Sequence, residues 1–445
     1  MAGGGGCGIV SGHGEVLNPH VVDNQDHFHP ATMIPTRARF IVLAGLCSAA
    51  ALAYLVRNGV APAESTIRAD LGLTKEQSGL MMSAFFWPYA LCQIPAAMLA
   101  QRLGSRRALA LYAVMWSLAT AGFALGELGW MTASRAFMGV AQAGLVPVAV
   151  GVMARWFPKT AQATAAGAFS GFMSAGSIVA APLTAWLVMD LGWRWMFVLY
   201  AIPGVLWAAW FAWWHRDDPA RHPAVNEAEL ERIGPAGTKA GDDAATGVWR
   251  ALAVNPALWL LCVQQFCRAA GYIFFASWFA TYLQEARGIT LVKSAWLTTL
   301  PLLADVAGGF SGGLISDALL RRTRSRRIAR QGMAMAALLL CAALIFTAWF
   351  VADPVLAVLV ISAGMYCAGV VNPCFSATLM TCGGPHAATW SAVTNMCGNF
   401  GAASFPILVP WLIAHAGGWD AVLAGFGSIY ILAALLWALL RGGRE

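Results

Sequence analysis

Three arginines and one aspartate stand inside otherwise apolar stretches of this sequence: Arg57, Arg135, Arg268 and Asp305. Burying a charge in hydrocarbon is costly, so a chain that keeps one there uses it to bind, to pair or to carry a proton. A guanidinium presents a planar fork of donors that matches a carboxylate. Tyr54 lies three residues before Arg57 on the same helix face, where its hydroxyl can reach the same ligand. The competing role for Arg57 is to hold a helix C-terminus or interhelical carbonyls. Gln142 follows Arg135 by two helical turns, again on one face. Arg268 takes roughly the place in the second half of the chain that Arg57 takes in the first, and Asp305 lies at comparable depth. A satisfied pair between them is near neutral, whereas either alone is very costly. Asp305 is then a proton carrier, a partner released when substrate binds, or half of a static pair. Farther on, Asn395-x-x-Gly398-Asn399-x-Gly401 offers two amides for polar ligand atoms or a neighbouring helix, with glycines that permit close approach.

These residues are positioned by membrane-spanning helices. The chain has 445 residues, of which 59% are hydrophobic and only 11% charged, with a mean hydropathy of +0.64. A soluble domain carries roughly 25% charged residues. The apolar runs have the length of bilayer-spanning helices, and alternating barrel segments are absent. Twelve spans are expected, near 39–61, 78–100, 107–126, 130–152, 163–187, 193–214, 257–283, 291–318, 330–351, 354–380, 386–413 and 418–440. They divide into a six-helix bundle over 39–214 and a second over 256–440, joined by a polar cytoplasmic linker over 215–255. Residues 1–38, rich in Gly and His (His13, His20, His27, His29), read as a disordered cytoplasmic terminus and 441–445 as a cytoplasmic tail.

Of the 28 Lys and Arg, 20 fall in loops and termini on one side, five on the other, and three inside spans. That is the positive-inside pattern with both termini in the cytoplasm. The net charge of +7 is therefore topological, and nucleic acid is not an expected partner. The cysteines lie mostly inside apolar runs with no C-x-x-C pair, as small packing residues. No catalytic or phosphate-binding motif is present in the spans, so neither an enzyme nor a cofactor or metal site is expected.

A repeat links the two halves. Ala97-x-x-x-Gln101-Arg102-x-Gly104-x-Arg106-Arg107 follows the second span, and Gly313-x-x-x-Asp317-x-x-x-Arg321-Arg322 follows the eighth. This resembles the major facilitator superfamily, whose loop signature is G-x-x-x-D-R-x-G-R-R. A closer resemblance, over about 40 to 440, is to its anion:cation symporter family, which includes sugar-acid, glucarate, phthalate and sialin-like transporters. It rests on Tyr54-x-x-Arg57, Ser83-Ala-Phe-Phe-x-x-Tyr89, Ser134-Arg135-x-x-x-Gly139, Arg155-Trp-Phe-Pro158, Arg216-Asp-Asp-Pro219 with His222-Pro223 and Asn226-Glu-x-Glu229-Leu230, Trp278-x-x-x-Tyr282-Leu283 and Leu300-Pro301.

The resemblance implies an all-α transporter of two pseudo-symmetric bundles, with the substrate site at midplane between them. It implies anion contact by Arg57, Tyr54 and Tyr89, and a gating role for Asp317 and, in the first copy, Arg102. The substrate-binding set is then Tyr54, Arg57, Tyr89, Arg135, Gln142, Asn395 and Asn399, and the coupling or gating set Arg268, Asp305, Asp317 and Arg102. In proton-coupled members the positions of Gln142 and Val56 carry carboxylates that take up and release the coupling proton; here neither can titrate. The expected function is import of a small organic anion by a monomer in the bacterial inner membrane, with a proton or sodium ion as the coupling partner. The alternatives are a proton-driven exporter of metabolites or drugs, a non-transporting membrane sensor and a membrane-embedded enzyme.

Overall fold

The computed structural model describes Gly3 and residues 34–234, 255–383 and 387–440. The histidines of the N-terminal stretch, most of the expected disordered terminus, the second half of the linker and the 441–445 tail lie outside these residues. Helices are numbered here by span: α1 Ala38–Leu71, α2 Lys75–Ser83 continued by Phe86–Leu103, α3 Ser105–Phe123, α4 Leu128–Trp156, α5 Lys159–Leu191 and α6 Trp193–Trp214. After a structured connection come α7 Pro256–Ser277 continued by Phe279–Glu285, α8 Leu291–Thr323, α9 Arg327–Trp349, α10 Pro354–Gly383, α11 Ala387–His415 and α12 Trp419–Leu439. Ten of them are long and apolar enough to cross a membrane. The other two, α2 and α3, are the most polar, with Gln77, Gln93 and Gln101 in one and Arg106 and Arg107 heading the other. Large apolar side chains such as Leu206 (65% exposed) and Phe310 (75%) lie on the outside, where only lipid accommodates so many of them.

Within the first six helices, α1 packs on α5, α3 on α6 and α4, and α2 on α4; within the last six, α8 packs on α10, α7 on α11, and α9 on α10 and α12. The two sets meet mainly through α1 with α7, α2 with α11 and α5 with α8. Advancing each helix number by six exchanges the last two pairs and keeps the first, so the contacts obey an approximate two-fold.

Proline explains the interruptions. A proline cannot donate to the carbonyl four residues earlier and its ring clashes with that carbonyl. Pro62, Pro88 and Pro147 accordingly stand four residues beyond Asn58, Ala84 and Ala143, where α1, α2 and α4 break. Pro95, Pro182, Pro203, Pro301, Pro373 and Pro406 lie inside continuous helix instead.

The described part of the connection is more than the polar linker read from its composition. Residues 215–234 form a 3-10 turn (Pro219–Arg221) and a short helix (Glu227–Ile233) that lies against the first bundle. Glu229, fully buried, accepts from the backbone N–H groups of Arg37 and Arg39, and Asn226 donates to the Ile34 carbonyl. Residues 34–38, grouped above with the disordered terminus, are thereby docked.

Candidate functional site

The break in α1 places Arg57 in the last turn of the helix piece Ala38–Asn58, where freed carbonyls make the local field favourable to a cation. Its guanidinium donates from Nε (3.1 Å) and Nη2 (3.0 Å) to Oε1 of Gln142. Three rings surround its Cζ: Tyr54 at 4.3 Å, Phe85 at 4.5 Å and Tyr89 at 4.7 Å. Such faces stabilise a desolvated cation electrostatically. Phe85 sits in the α2 break, stacks on Tyr89 with ring centres 5.3 Å apart, and is brought close because its carbonyl lies against Gly139 of α4, where a Cβ would collide.

Arg135, 3% exposed, donates from Nη1 to the Arg57 carbonyl at 3.0 Å, one of those freed at the break. Its Cζ lies 5.2 Å from the Phe85 ring, and its Nε has no partner. Gln142 is spent on both ends, since its Nε2 donates to the Ala53 carbonyl. Gln142 is thus a positioning group for Arg57 and not a free ligand-binding amide. Among the described residues no carboxylate pairs with Arg57 or Arg135. Among the described residues, Nη1 of Arg57 donates to no backbone or side-chain carbonyl, and it is not sealed from solvent. The Tyr54 hydroxyl lies within hydrogen-bonding range of the Arg57 side chain, and the Tyr89 ring also faces that guanidinium.

Across the interface, Tyr272 of α7 lies within interaction range of Tyr54 and Ser177 on one side and of Arg268 and Asp305 on the other. Ser177 also takes a bond from Asn58 at 2.9 Å. Tyr272, Ser177, Asn58 and Phe85 were not singled out in the sequence. Tyr272 had a signal, one turn past Arg268 on the same face, and Phe85 stood inside a quoted motif.

The expected Arg268–Asp305 ion pair is not made. Arg268 turns instead to Gln265 on its own helix (Nε to Oε1, 3.1 Å), although it remains within the electrostatic field of Asp305. Asp305 is fixed by its backbone, which lies against Gly369 of α10 where a Cβ would collide. The two asparagines of α11 stand apart from the arginine cluster: Asn395 donates to Gln93 of α2 at 3.2 Å, and Asn399 bonds the carbonyl of Asn395. Asp317 and Arg102 are both exposed and form no ion pair among the described residues.

Beside the first loop signature, where Gln101 stands at the aspartate position, Asp217 from the post-α6 segment brings in a carboxylate. It accepts from the Ser105 hydroxyl (2.6 Å) and the Arg106 N–H (2.8 Å) at the start of α3, and fits against Gly104, whose φ is +81°. Burial alone would raise its pKa, but these bonds and the nearby His215 and Arg155 outweigh that and lower it.

The comparisons with known proteins agree with this architecture. The profile of the Major Facilitator Superfamily matches residues 46–406. A probable sulfoacetate transporter of Cupriavidus necator is 30% identical over 90% of this chain and 93% of its own length. A probable galactarate/D-glucarate transporter of Bacillus subtilis is 28% identical over 92% of each. A D-galactonate transporter of Escherichia coli is 28% identical over 92% of this chain and 96% of that one. Among solved structures, a bacterial homolog to the human lysosomal transporter Spinster superposes with a TM-score of 0.70 at 20% identity, covering 90% of this chain and 95% of that chain.

Proposed function

The chain belongs to the Major Facilitator Superfamily, whose members and the relatives above are transporters and not enzymes, and on that footing we propose that it imports a small organic anion by alternating access across the bacterial inner membrane. The observation that carries the anion is the Arg57 guanidinium. It is buried, has no carboxylate partner among the described residues, and is held by Gln142 and three rings, with Nη1 not engaged by Gln142. A desolvated guanidinium so placed is worth more to an incoming carboxylate than one in water. The relatives' named substrates, sulfoacetate, galactarate, D-glucarate and D-galactonate, all carry that group.

In this reading the carboxylate meets Nη1 of Arg57, and the hydroxyls of Tyr54 and Tyr89 complete its coordination. Tyr272 reaches it from the second half. Asp305 is the coupling group, because the span positions of Val56 and Gln142 hold nothing that can carry a proton. The distribution of Lys and Arg supports an orientation with both termini in the cytoplasm.

The test is uptake of labelled sulfoacetate, glucarate, galactonate and an aromatic acid into proteoliposomes, with and without a pH gradient. One of them should enter, and Arg57→Ala should reduce that entry by about 100-fold, as loss of a buried charge-assisted ligand does. Uptake equal to wild type in Arg57→Ala rejects the anion site.

A further inference from the structure

At the end of the molecule opposite the chain termini, a second cluster of charges joins the two halves. Glu64, in the part of α1 beyond its break, has no exposed surface at all. Its Oε1 accepts from Arg68 one turn on (2.9 Å), and its Oε2 accepts from the Thr281 hydroxyl of α7 (2.9 Å). Arg68 reaches across to Glu285 of α7. Glu285 also takes Lys75 of α2 at 2.7 Å and the indole N–H of Trp419 at 3.2 Å. The Lys75 ammonium is 5.7 Å from the centre of the same Trp419 ring, and Ser65 donates to Gln284 at 2.7 Å. Among the described residues, the only ion pairs between the two halves are these two of Glu285. Toward the other end the halves share the bond from Asn395 to Gln93, between two amides.

We propose that this network is the gate that seals one end of the transport path, and that Glu285 sets its strength. The argument is what each group keeps when the halves part. Glu64 and Arg68 lie on one helix and stay paired, so the buried carboxylate is never left alone; it gives up only a neutral hydroxyl. Glu285 loses both of its cations at once. What remains on the first half is Arg68 and Lys75, and Lys75 is the first residue of α2, at the positive end of that helix's dipole. Glu285 therefore offsets repulsion within the first half as well as joining it to the second. Its side chain is 26% exposed, so the seal responds to salt, whereas the Glu64 bond beneath it does not.

The proposal depends on the transport reading for its purpose, but its test needs no substrate, so either can fail without the other. Spin labels at Glu127 and Ala352, both exposed and on opposite halves at this end, report the separation by pulsed electron resonance, with the accessible native cysteines replaced by serine. Wild type should give a short distance. Glu285→Gln should add a longer one, raising the open-to-closed ratio by about tenfold, the scale of one charge-assisted bond. Thr281→Val, which keeps the shape and removes the hydroxyl, should raise it by about threefold. One-molar salt should move wild type toward the Glu285→Gln pattern and leave that variant unmoved. If Glu285→Gln keeps the wild-type distribution, or salt moves it as far as wild type, the gate is elsewhere.

Discussion

In the first half of the molecule Arg57 and Arg135 are buried with no carboxylate, held by an amide, a backbone carbonyl and the faces of Tyr54, Phe85 and Tyr89. In the second half Arg268 has a carboxylate, Asp305, in its field yet bonds Gln265 instead. The first arrangement is a fixed pair of guanidinium groups with no carboxylate partner among the described residues. The second holds a carboxylate that makes no ion pair among the described residues. In the proposed reading, anion recognition and proton coupling fall to different halves, with Tyr272 between them. That division is a reason for the halves to move against one another, since each event alone touches only one of them.

The division is broken most completely at Asp305. Asp305→Asn removes the titrating group and keeps its shape. Gradient-driven accumulation should fall to about the equilibrium ratio of one, while exchange of internal for external anion continues, because Arg57 is untouched. If accumulation against a gradient survives in that variant, coupling does not reside in the second half and the comparison fails. Measuring influx and exchange on the same vesicles separates the outcomes.

A smaller change sharpens the other side. Gln142→Glu gives Arg57 a carboxylate partner at the same position. At neutral pH the introduced carboxylate should compete with substrate and raise its apparent KM by about tenfold, the scale of one charge-assisted bond. Protonation of that carboxylate as pH falls should restore affinity, whereas wild type should show no such recovery. A KM that is unchanged and flat with pH would mean that the Arg57 fork is not where the anion binds.

The sequence announced the buried arginines through their apolar surroundings, but not what each would touch. Arg57 and Gln142 are 85 positions apart, and only the α1 and α4 breaks at Pro62 and Pro147 bring them level. The prolines were visible; that the break near Pro62 leaves the neighbouring Arg57 carbonyl facing Arg135 requires knowing which helix lies opposite. The gate was hidden by a boundary. The first span was read as ending near residue 61, where hydropathy falls, yet the helix runs to Leu71 and ends at Gly72 with φ +63°. Glu64 and Arg68 therefore sit inside the bundle, not in a loop. Asp217 was passed over for a similar reason: a polar stretch rich in Pro and Asp reads as a solvated linker unless one sees the helix start it caps. The Arg268–Asp305 pairing failed because equal depth on two helices does not fix the rotation of either.

The least costly test concerns that capped end. His215 follows α6 and is fully buried, stacked on Phe211 at 4.5 Å and near Trp156 at 5.7 Å. Its Nε2 meets the Ser105 hydroxyl at 3.2 Å. Burial depresses its pKa to about 4; the attraction of Asp217 opposes this, and His222, Arg106 and Arg216 add to it. The unfolded chain, with an ordinary histidine pKa of about 6.5, therefore binds the proton that the folded one refuses. The contribution of His215 to stability is full above about pH 6.5 and declines as pH falls toward about 4, at about 1.4 kcal/mol per unit. His215→Phe keeps the stack and removes the titration. Wild type and variant should melt with a nearly constant difference above pH 7, and the variant should gain on wild type by roughly 2 °C per pH unit between about 6.5 and 4. Parallel melting curves across that range would show that His215 is protonated in the fold, and that the strap of residues 215–234 on the first bundle tolerates a charge at its centre.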